Sequence, residues 1–383
     1  MDFNLSWILL GLPLAFALGW AASRFDLRQI RMENRDAPKA YFRGLNYLLN
    51  EQQDQAIDAF IEAVQNDPET SELHFALGNL FRRRGEYERA VRVHEHLLSR
   101  GDLSQAERHR AQHALALDFL KAGLLDRAED ALRKLEGTSF EQEARVALLA
   151  NYERSRDWVL AAEVARKLEQ SVPGSFAPRL AHYLCEQAAI ATAQARSDDA
   201  RAFLQQAIDQ APDALRPRID MARLQQAQGN QTAAQQTLLE ALAHTPAAAP
   251  LLAEALAVVS LQVGATAEAF TRLQALYEQS PSLDVLAALV QLADGNTTLC
   301  ERDFYAHHLT HEPSLVAATR WIALEKLEHE QDHPQVQRAL EHAVKPLLRY
   351  RCAACGFEAS HHFWQCPGCQ TWDSYPARRV EEL

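Results

Sequence analysis

A short pattern that recurs along this chain restricts its fold more than any other feature. An alanine is followed twelve residues later by a proline at five places: Ala56 and Pro68, Ala161 and Pro173, Ala200 and Pro212, Ala234 and Pro246, and Ala269 and Pro281. At the first of these places, small, aromatic and proline residues hold positions 8, 11, 20, 24, 27 and 32 of a 34-residue unit beginning near Ala37: Gly44, Tyr47, Ala56, Phe60, Ala63 and Pro68. A fixed period of this length indicates repeats that pack against their neighbours.

The next unit keeps the same period. Gly78, Phe81 and Ala90 lie 34 residues after their counterparts in the first unit, and Gly85-Glu86-Tyr87 forms its predicted turn. Small residues let the two helices of a unit approach closely, aromatic side chains fill the gap, and proline ends the second helix. The pattern resembles that of tetratricopeptide (TPR) proteins over residues 37–313, which implies helix pairs stacked into a right-handed superhelix. A non-repeating helical bundle is the alternative.

The spacing also predicts where the repeats are irregular. From Ala161 to Ala200 there are 39 residues, against 33 from Ala128 to Ala161, so we expect a longer first helix near residues 177–196. After Pro281 the pattern weakens, although helices are still expected up to residue 348, and terminal repeats are often atypical. Glycine (14) and proline (15) are sparse among the 383 residues, which favours helix over sheet.

The amino terminus has the composition of a membrane anchor. Residues 3–22 carry no charged side chain and would span about 30 Å as a helix, enough for a bilayer core. Asp2 precedes this stretch, and Arg24 and further arginines follow it, which is the reverse of a secretory signal peptide. We therefore predict a transmembrane anchor over residues 1–23 and a basic cytosolic tether over 24–36, with the rest cytoplasmic. A buried helix of the soluble part is the alternative.

Four cysteines near the carboxyl terminus form the clearest candidate site. Cys352 and Cys355 make one C-x-x-C motif, and Cys366 and Cys369 make a second one ten residues further on. Four thiolates at this spacing can close a tetrahedral site for one metal ion, iron or zinc. Two disulfides or four free thiols are the alternatives. No glycine- or serine-rich linker separates residues 37–348 from 349–383, so we expect the cysteine segment to pack on the helices.

The remaining cysteines and the histidines are given structural roles. Cys185 and Cys300 are expected to be small buried hydrophobic residues. His307, His308 and His311 are expected on the surface, and His361 and His362 could support the metal ligands from outside. No nucleophile, phosphate-binding or dinucleotide motif is present in the sequence, so we predict a protein that is not an enzyme. The net charge of −12 argues against nucleic acid as a partner.

The inner face of a TPR array commonly binds an extended peptide or a helix of a partner. On the first helices of the second and third units, six polar residues fall at positions that usually face inwards: Asn79, Arg82, Arg83, Arg110, His113 and Lys121. They are candidates for binding an acidic peptide or a chain end. Ordinary solvated charges are the alternative interpretation.

The order of these parts is similar to that of the lipopolysaccharide assembly protein B family of Gram-negative bacteria, over the whole chain. That family ends in a rubredoxin-like domain whose metal ligands match Cys352, Cys355, Cys366 and Cys369. Other matching residues of this segment are Tyr350, Arg351, Gly356, Phe357, Trp364, Pro367 and Trp372.

The resemblance implies a cytosol-facing scaffold of the bacterial inner membrane that regulates lipopolysaccharide biosynthesis. Its implied partners are a membrane AAA+ protease, the lipid A pathway deacetylase that this protease degrades, and a lipopolysaccharide-sensing inner-membrane protein; a homodimer is a further expectation. The predicted fold is an all-α TPR solenoid with an amino-terminal transmembrane helix and a small rubredoxin-like metal domain. A rubredoxin-like electron carrier and a generic TPR co-chaperone that binds peptides are the alternative functions.

Overall fold

The computed structural model describes residues 39–66, 70–170, 175–293, 300–325 and 333–383, together with Phe16 and Trp20. Apart from those two residues, the predicted anchor and tether lie outside the described residues, as do Pro68 and Pro173. The chain forms two compact units, which divide between Val164 and Ala165.

The described residues are mostly helical, and the helices follow one another in pairs. The helices are α1 (39–49), α2 (Gln53–Asn66), α3 (Ser71–Arg84), α4 (Tyr87–Ser99), α5 (Gln105–Ala122), α6 (Leu125–Arg133), α7 (Glu141–Ser155), α8 (Trp158–Glu169), α9 (Ala177–Ala193), α10 (Ser197–Gln210), α11 (Leu215–Ala227), α12 (Gln231–His244), α13 (Ala249–Val263), α14 (Thr266–Gln279), α15 (Leu283–Ala293), α16 (Glu301–His311), α17 (Leu315–Leu324) and α18 (His333–Val344). Two short strands follow, β1 (Tyr350–Arg351) and β2 (Glu358–Ala359), and a 3-10 turn, Val380–Glu382, ends the chain. Each odd-numbered helix from α1 to α13 is the first helix of a predicted repeat.

The repeated alanine lies at the same place in every predicted repeat. It belongs to the second helix of each pair and has no exposed surface: Ala56, Ala90, Ala128, Ala161, Ala200, Ala234 and Ala269. A larger side chain at such a position would push the helices apart, since protein interiors are close-packed. The periodicity therefore predicted the positions of closest packing, and the TPR interpretation is confirmed.

Glycines in the first helices show how close the paired helices lie. A Cβ added to Gly44 of α1 would lie 2.9 Å from the Phe60 ring of α2, and one added to Gly78 of α3 would lie 2.5 Å from the His94 ring of α4. Phe60 and His94 occupy the same position of successive repeats and are both fully buried. The aromatic ring thus occupies the space that the glycine leaves open, as predicted.

The turns between helices follow from local sequence. Gly85 ends α3 in the left-handed region at φ +83°, where its N–H donates to the carbonyl of Arg82 at 3.1 Å, and the next N–H donates to Phe81 O at 2.9 Å. Helix α9 has 17 residues, against 13 for α11 and 15 for α13, so the first helix near residues 177–196 is long, although α5 is longer still with 18 residues.

Within the described residues, one stretch is long and apolar enough to cross a bilayer, Pro246–Val263. It includes α13, whose Leu252, Leu256 and Val259 are fully buried in the core of the second unit. The apolar composition of this stretch is therefore explained by its place in the helix core.

The expectations for Cys300 and His308 are wrong, whereas the one for Cys185 is confirmed. Cys185 is buried in α9, as expected, and burial raises the pKa of its thiol. Cys300, however, is exposed and precedes α16 as its N-cap. His308 is also unlike its neighbours: it is buried, with Nδ1 2.6 Å from the hydroxyl of Tyr277, while His307 and His311 are exposed.

Replacing Gly78 with alanine should destabilise the first unit. Alanine favours helix by about 1 kcal/mol over glycine, but the new Cβ would clash with His94, and overpacking typically costs about 1–3 kcal/mol. We expect a lower urea midpoint in circular dichroism. Gly101→Ala is the control, because a Cβ there meets nothing within 4 Å. A Gly78→Ala protein more stable than the parent would contradict the close packing.

Candidate metal centre

The four cysteines lie on two loops of the same design. Strand β1 pairs antiparallel with β2, and the loop between them carries Cys352 and Cys355; an isolated bridge between Gln365 and Trp372 brackets the other pair. In each loop the N–H of the first cysteine and the N–H that follows the second cysteine close the turn with bonds of 2.8–2.9 Å. The residue after the second cysteine is left-handed in both loops, Gly356 at φ +76° and Gln370 at φ +62°. Both C-x-x-C motifs therefore turn their sulfur atoms towards one point.

The sulfur positions fit one tetrahedral metal ion. The Sγ atoms of Cys352 and Cys369 are 3.8 Å apart, those of Cys355 and Cys366 are 3.7 Å apart, and all four lie within 4.8 Å of one another. Sulfurs bound to zinc at about 2.3 Å would form a tetrahedron with edges of about 3.8 Å. Disulfides need a separation of about 2.05 Å, so the disulfide alternative does not fit.

Hydrogen bonds favour the thiolate form that a metal requires at Cys352 and Cys369. At Cys355 the N–H of Phe357 is outweighed by desolvation and the neighbouring cysteines, which raise the pKa to about 12. The Ser374 hydroxyl, 3.2 Å from the sulfur, and the N–H groups of Cys355 and Ala354 lower the pKa of Cys352 to about 6. The hydroxyl and N–H of Thr371 likewise lower the pKa of Cys369. Deprotonated sulfurs are the metal-binding species. The four cysteines thus bind one metal ion.

The site has a covered side and an open side. Cys352 and Cys366 are buried, together with Tyr350 and Tyr375, and Leu251 of α13 packs against this group. Cys355 and Cys369 are exposed.

The metal clip, which we define as residues 350–375, is joined to α9 by an aromatic contact and a hydrogen bond. The ring of His182 stacks on Trp372 with centroids 4.6 Å apart and an interplanar angle of 20°. Both carboxylate oxygens of Asp373 lie 2.9 Å from Nε2 of the same histidine. The clip therefore packs on the helices, as the absence of a linker predicted.

The chain after the clip, which we call the tail (residues 376–383), fastens it to two more helices. Arg379 binds the Asp284 carboxylate of α15 at 2.8–3.0 Å and lies 4.8 Å over the Tyr350 ring. Glu381 accepts the N–H of Leu315 at 2.6 Å at the start of α17, and Glu382 accepts the N–H of Leu283 at 2.8 Å at the start of α15. Carboxylates at helix N-termini are stabilising, because they pair free N–H groups and oppose the helix dipole.

The histidines near the site do not contact sulfur in the described structure. Nε2 of His362 lies 3.2 Å from the carbonyl of Tyr375, and its ring meets Trp364 edge-on at 4.8 Å. Burial lowers the pKa of His362. Nδ1 of His361 lies 2.8 Å from the Ser360 hydroxyl.

The six candidate partner-binding residues fall into two groups. Arg82 binds Asn79 at 2.5 Å and the buried Asp118 at 2.8 Å, so it is tied to an internal network that also includes His94. Arg110 pairs with Glu72 and lies 4.1 Å over the ring of Phe75, and His113 lies beside Phe140. Arg83 and Lys121 are exposed.

The helix pairs and the paired cysteine loops define a TPR protein with a carboxyl-terminal rubredoxin-type metal domain. A family model described as the rubredoxin metal binding domain matches residues 350–375. Lipopolysaccharide assembly protein B of Escherichia coli strain K12 is 30% identical over 383 residues, covering 97% of this chain and 98% of that protein. The chain therefore belongs to the lipopolysaccharide assembly protein B family.

Two further similarities accompany this one. The Haemophilus influenzae protein of the same name is 26% identical over 398 residues, covering 95% of this chain and 96% of that protein. Among solved structures, part of a TPR repeat-containing protein from Cytophaga hutchinsonii is 12% identical with a TM-score of 0.43, covering 65% of this chain and 99% of that one.

Replacing Cys366 with serine should abolish metal binding, since three thiolates leave a tetrahedral site open and the clip depends on its metal to fold. Elemental analysis of the purified protein should find one iron or zinc per parent chain and almost none in the variant. Cys300→Ser is the control and should keep its metal, because Cys300 lies outside the cluster. A Cys366→Ser protein with a full equivalent of metal would contradict the four-cysteine site.

Replacing Arg379 with leucine should destabilise the second unit by roughly 3 kcal/mol, because it leaves the mostly buried Asp284 without its partner. Equilibrium urea unfolding followed by circular dichroism measures the change. Arg351→Leu is the matched control in the clip; its ion pair with Glu358 is exposed, and such pairs contribute about 0–1 kcal/mol. Equal losses in the two variants would argue against a fastening role for the tail.

Proposed function

We propose that this chain acts in lipopolysaccharide assembly as a scaffold without catalytic activity of its own. The family is named for that process, and the chain matches its relatives over nearly their full length. The observation that carries the scaffold role is the docking of the clip: His182, Asp284, Leu283 and Leu315 all bind clip or tail residues. The metal then serves to hold a surface together.

The finer proposal concerns location and partners. Residues 1–23 anchor the chain in the bacterial inner membrane, and the described helices lie in the cytoplasm. There the chain presents the lipid A pathway deacetylase to a membrane AAA+ protease and responds to a lipopolysaccharide-sensing membrane protein. Arg83 and Lys121 are the exposed members of the candidate surface that also includes Asn79, Arg82, Arg110 and His113. Their positive charge suits an acidic segment of a partner.

The half-life of the deacetylase after translation is stopped tests this proposal. In cells that lack the chain the half-life should lengthen several-fold, and the parent gene should restore it. The double variant Arg83→Glu, Lys121→Glu should restore it poorly, whereas Arg92→Glu, which changes an exposed arginine of α4, should restore it fully.

Removing residues 1–22 gives a second arm of the same experiment. The shortened protein should stay folded and helical but leave the membrane fraction and regulate poorly, because the anchor holds the scaffold beside its partners. A deacetylase half-life that does not depend on the chain would contradict the adaptor role. Aggregation of the shortened protein would place the segment in the folded core.

Electron transfer is the second candidate, favoured by the exposure of Cys355 and Cys369 on one side of the site. A single iron ligated by four thiolates can exchange one electron. A red, reversibly reducible centre whose reduction changes activity would support this candidate, and a colourless zinc site would exclude it.

A further inference from the structure

Three histidines close together on α16 take no part in the proposed function. His307, His308 and His311 lie in the last two turns of this helix. His308 is buried, and its Nδ1 lies 2.6 Å from the Tyr277 hydroxyl, so this ring belongs to the helix core. His307 and His311 are exposed, and their rings stack with centroids 4.7 Å apart and an interplanar angle of 29°. The two exposed imidazoles therefore lie side by side on one face of the helix.

Two histidines four residues apart on a helix can bind the same metal ion. This spacing places both side chains on one face, and it is the spacing of the two zinc ligands in the H-E-x-x-H motif. Imidazole nitrogens suit zinc, copper and nickel ions, whereas magnesium and calcium ions prefer oxygen ligands. Among the described residues, only the four cysteines form a group of three or more such ligands. The α16 pair can thus supply two nitrogens to one ion, and water can complete the coordination.

Local hydrogen bonds leave Nε2 of His311 for a metal. Its Nδ1 lies 3.1 Å from the carbonyl of His307 and 2.8 Å from the Thr310 hydroxyl, which itself donates to the same carbonyl at 2.7 Å. A carbonyl oxygen only accepts, so the proton of the 3.1 Å contact is on Nδ1. Metal-binding histidines usually donate from their second ring nitrogen in this way, which fixes the ring and leaves the other nitrogen for the metal.

The surroundings of the pair favour a cation. The pair lies at the carboxyl end of α16, where the negative end of the helix dipole stabilises positive charge. Residues 301–312 also carry three carboxylates, those of Glu301, Asp303 and Glu312, against the single guanidinium of Arg302. A divalent ion would be attracted to this end of the helix, whereas an anion would be repelled.

A second pair with the same spacing lacks this geometry. His109 and His113 lie four residues apart on α5 and are partly buried. The ring of His113 lies beside Phe140 with centroids 5.6 Å apart, and burial lowers the pKa of His113. That ring is held by packing, and no ring contact joins it to His109 in the described part of the chain. Exposure and mutual ring contact therefore distinguish the α16 pair from a mere coincidence of spacing.

We infer that His307 and His311 bind one divalent first-row transition-metal ion, such as zinc, through two imidazole nitrogens, with water in the remaining positions. The four cysteines bind a separate ion. Because both rings are exposed, the ion can enter and leave without any change in the fold. This inference does not rest on the proposed function, since it depends only on α16.

Equilibrium dialysis of the full chain against zinc chloride tests the site, in detergent micelles and without a polyhistidine tag. The clip first receives its one metal ion, and the dialysis is run at about pH 8, where protons compete little for imidazole. Elemental analysis should then find one zinc beyond the clip metal in the parent chain. His307→Asn and His311→Asn should each lose that zinc, because one remaining imidazole cannot chelate it. Both side chains are exposed, so the variants should keep the helical circular dichroism of the parent.

His342→Asn and His109→Asn are the matched controls. His342 is an exposed histidine of α18 with no histidine one turn away, and His109 belongs to the α5 pair, so both variants should keep the additional zinc. The inference is overturned if the parent binds no zinc beyond the clip metal, if either α16 variant keeps it, or if the controls lose it equally. Displacement of the zinc by an equal concentration of magnesium chloride would also overturn it, because the ligands would then be carboxylates.

Discussion

Four sulfur atoms within 4.8 Å of one another hold together a segment with very little core of its own. The buried hydrophobic cluster of the clip comprises Tyr350, Cys352, Cys366 and Tyr375, so two of its four members are ligands. A segment this small normally needs a metal or disulfides to fold. Everything that the clip and tail do for the helices, from the His182 contact to the capping of α15 and α17, therefore depends on metal ligation.

The clip in turn determines which helix faces of the second unit are available. Its contacts fall on two first helices, α9 through His182 and α13 through Leu251, and the tail binds α15 and α17. In TPR proteins these helices supply the face that usually binds partners. The clip covers part of α9 and α13, and the tail covers the N-termini of α15 and α17. The metal domain thus determines which parts of these first helices stay exposed.

The sequence predicted what short-range patterns encode. Fixed spacing identified the buried alanines, the glycine–aromatic contacts and the four ligands. Contacts between distant residues were not predicted: Asp373 lies 191 residues from His182 and Arg379 lies 95 from Asp284, and no periodicity links them. Two errors were avoidable. Glu301 and Asp303 after Cys300 are typical of a helix start, and Tyr305 and His308 share one helix face.

Hydrogen exchange of the full chain, measured by mass spectrometry before and after a chelator removes the metal, tests the central claim most directly. If the metal holds the clip and tail in place, chelation will remove protection from residues 350–382. Chelation will also remove protection from the N–H groups of Leu283, Leu315 and Val316, which Glu381 and Glu382 bind. Helices α1 to α7 should keep their protection from exchange. Continued protection of those three N–H groups in the metal-free chain would show that the tail docks without the metal, and would contradict the account.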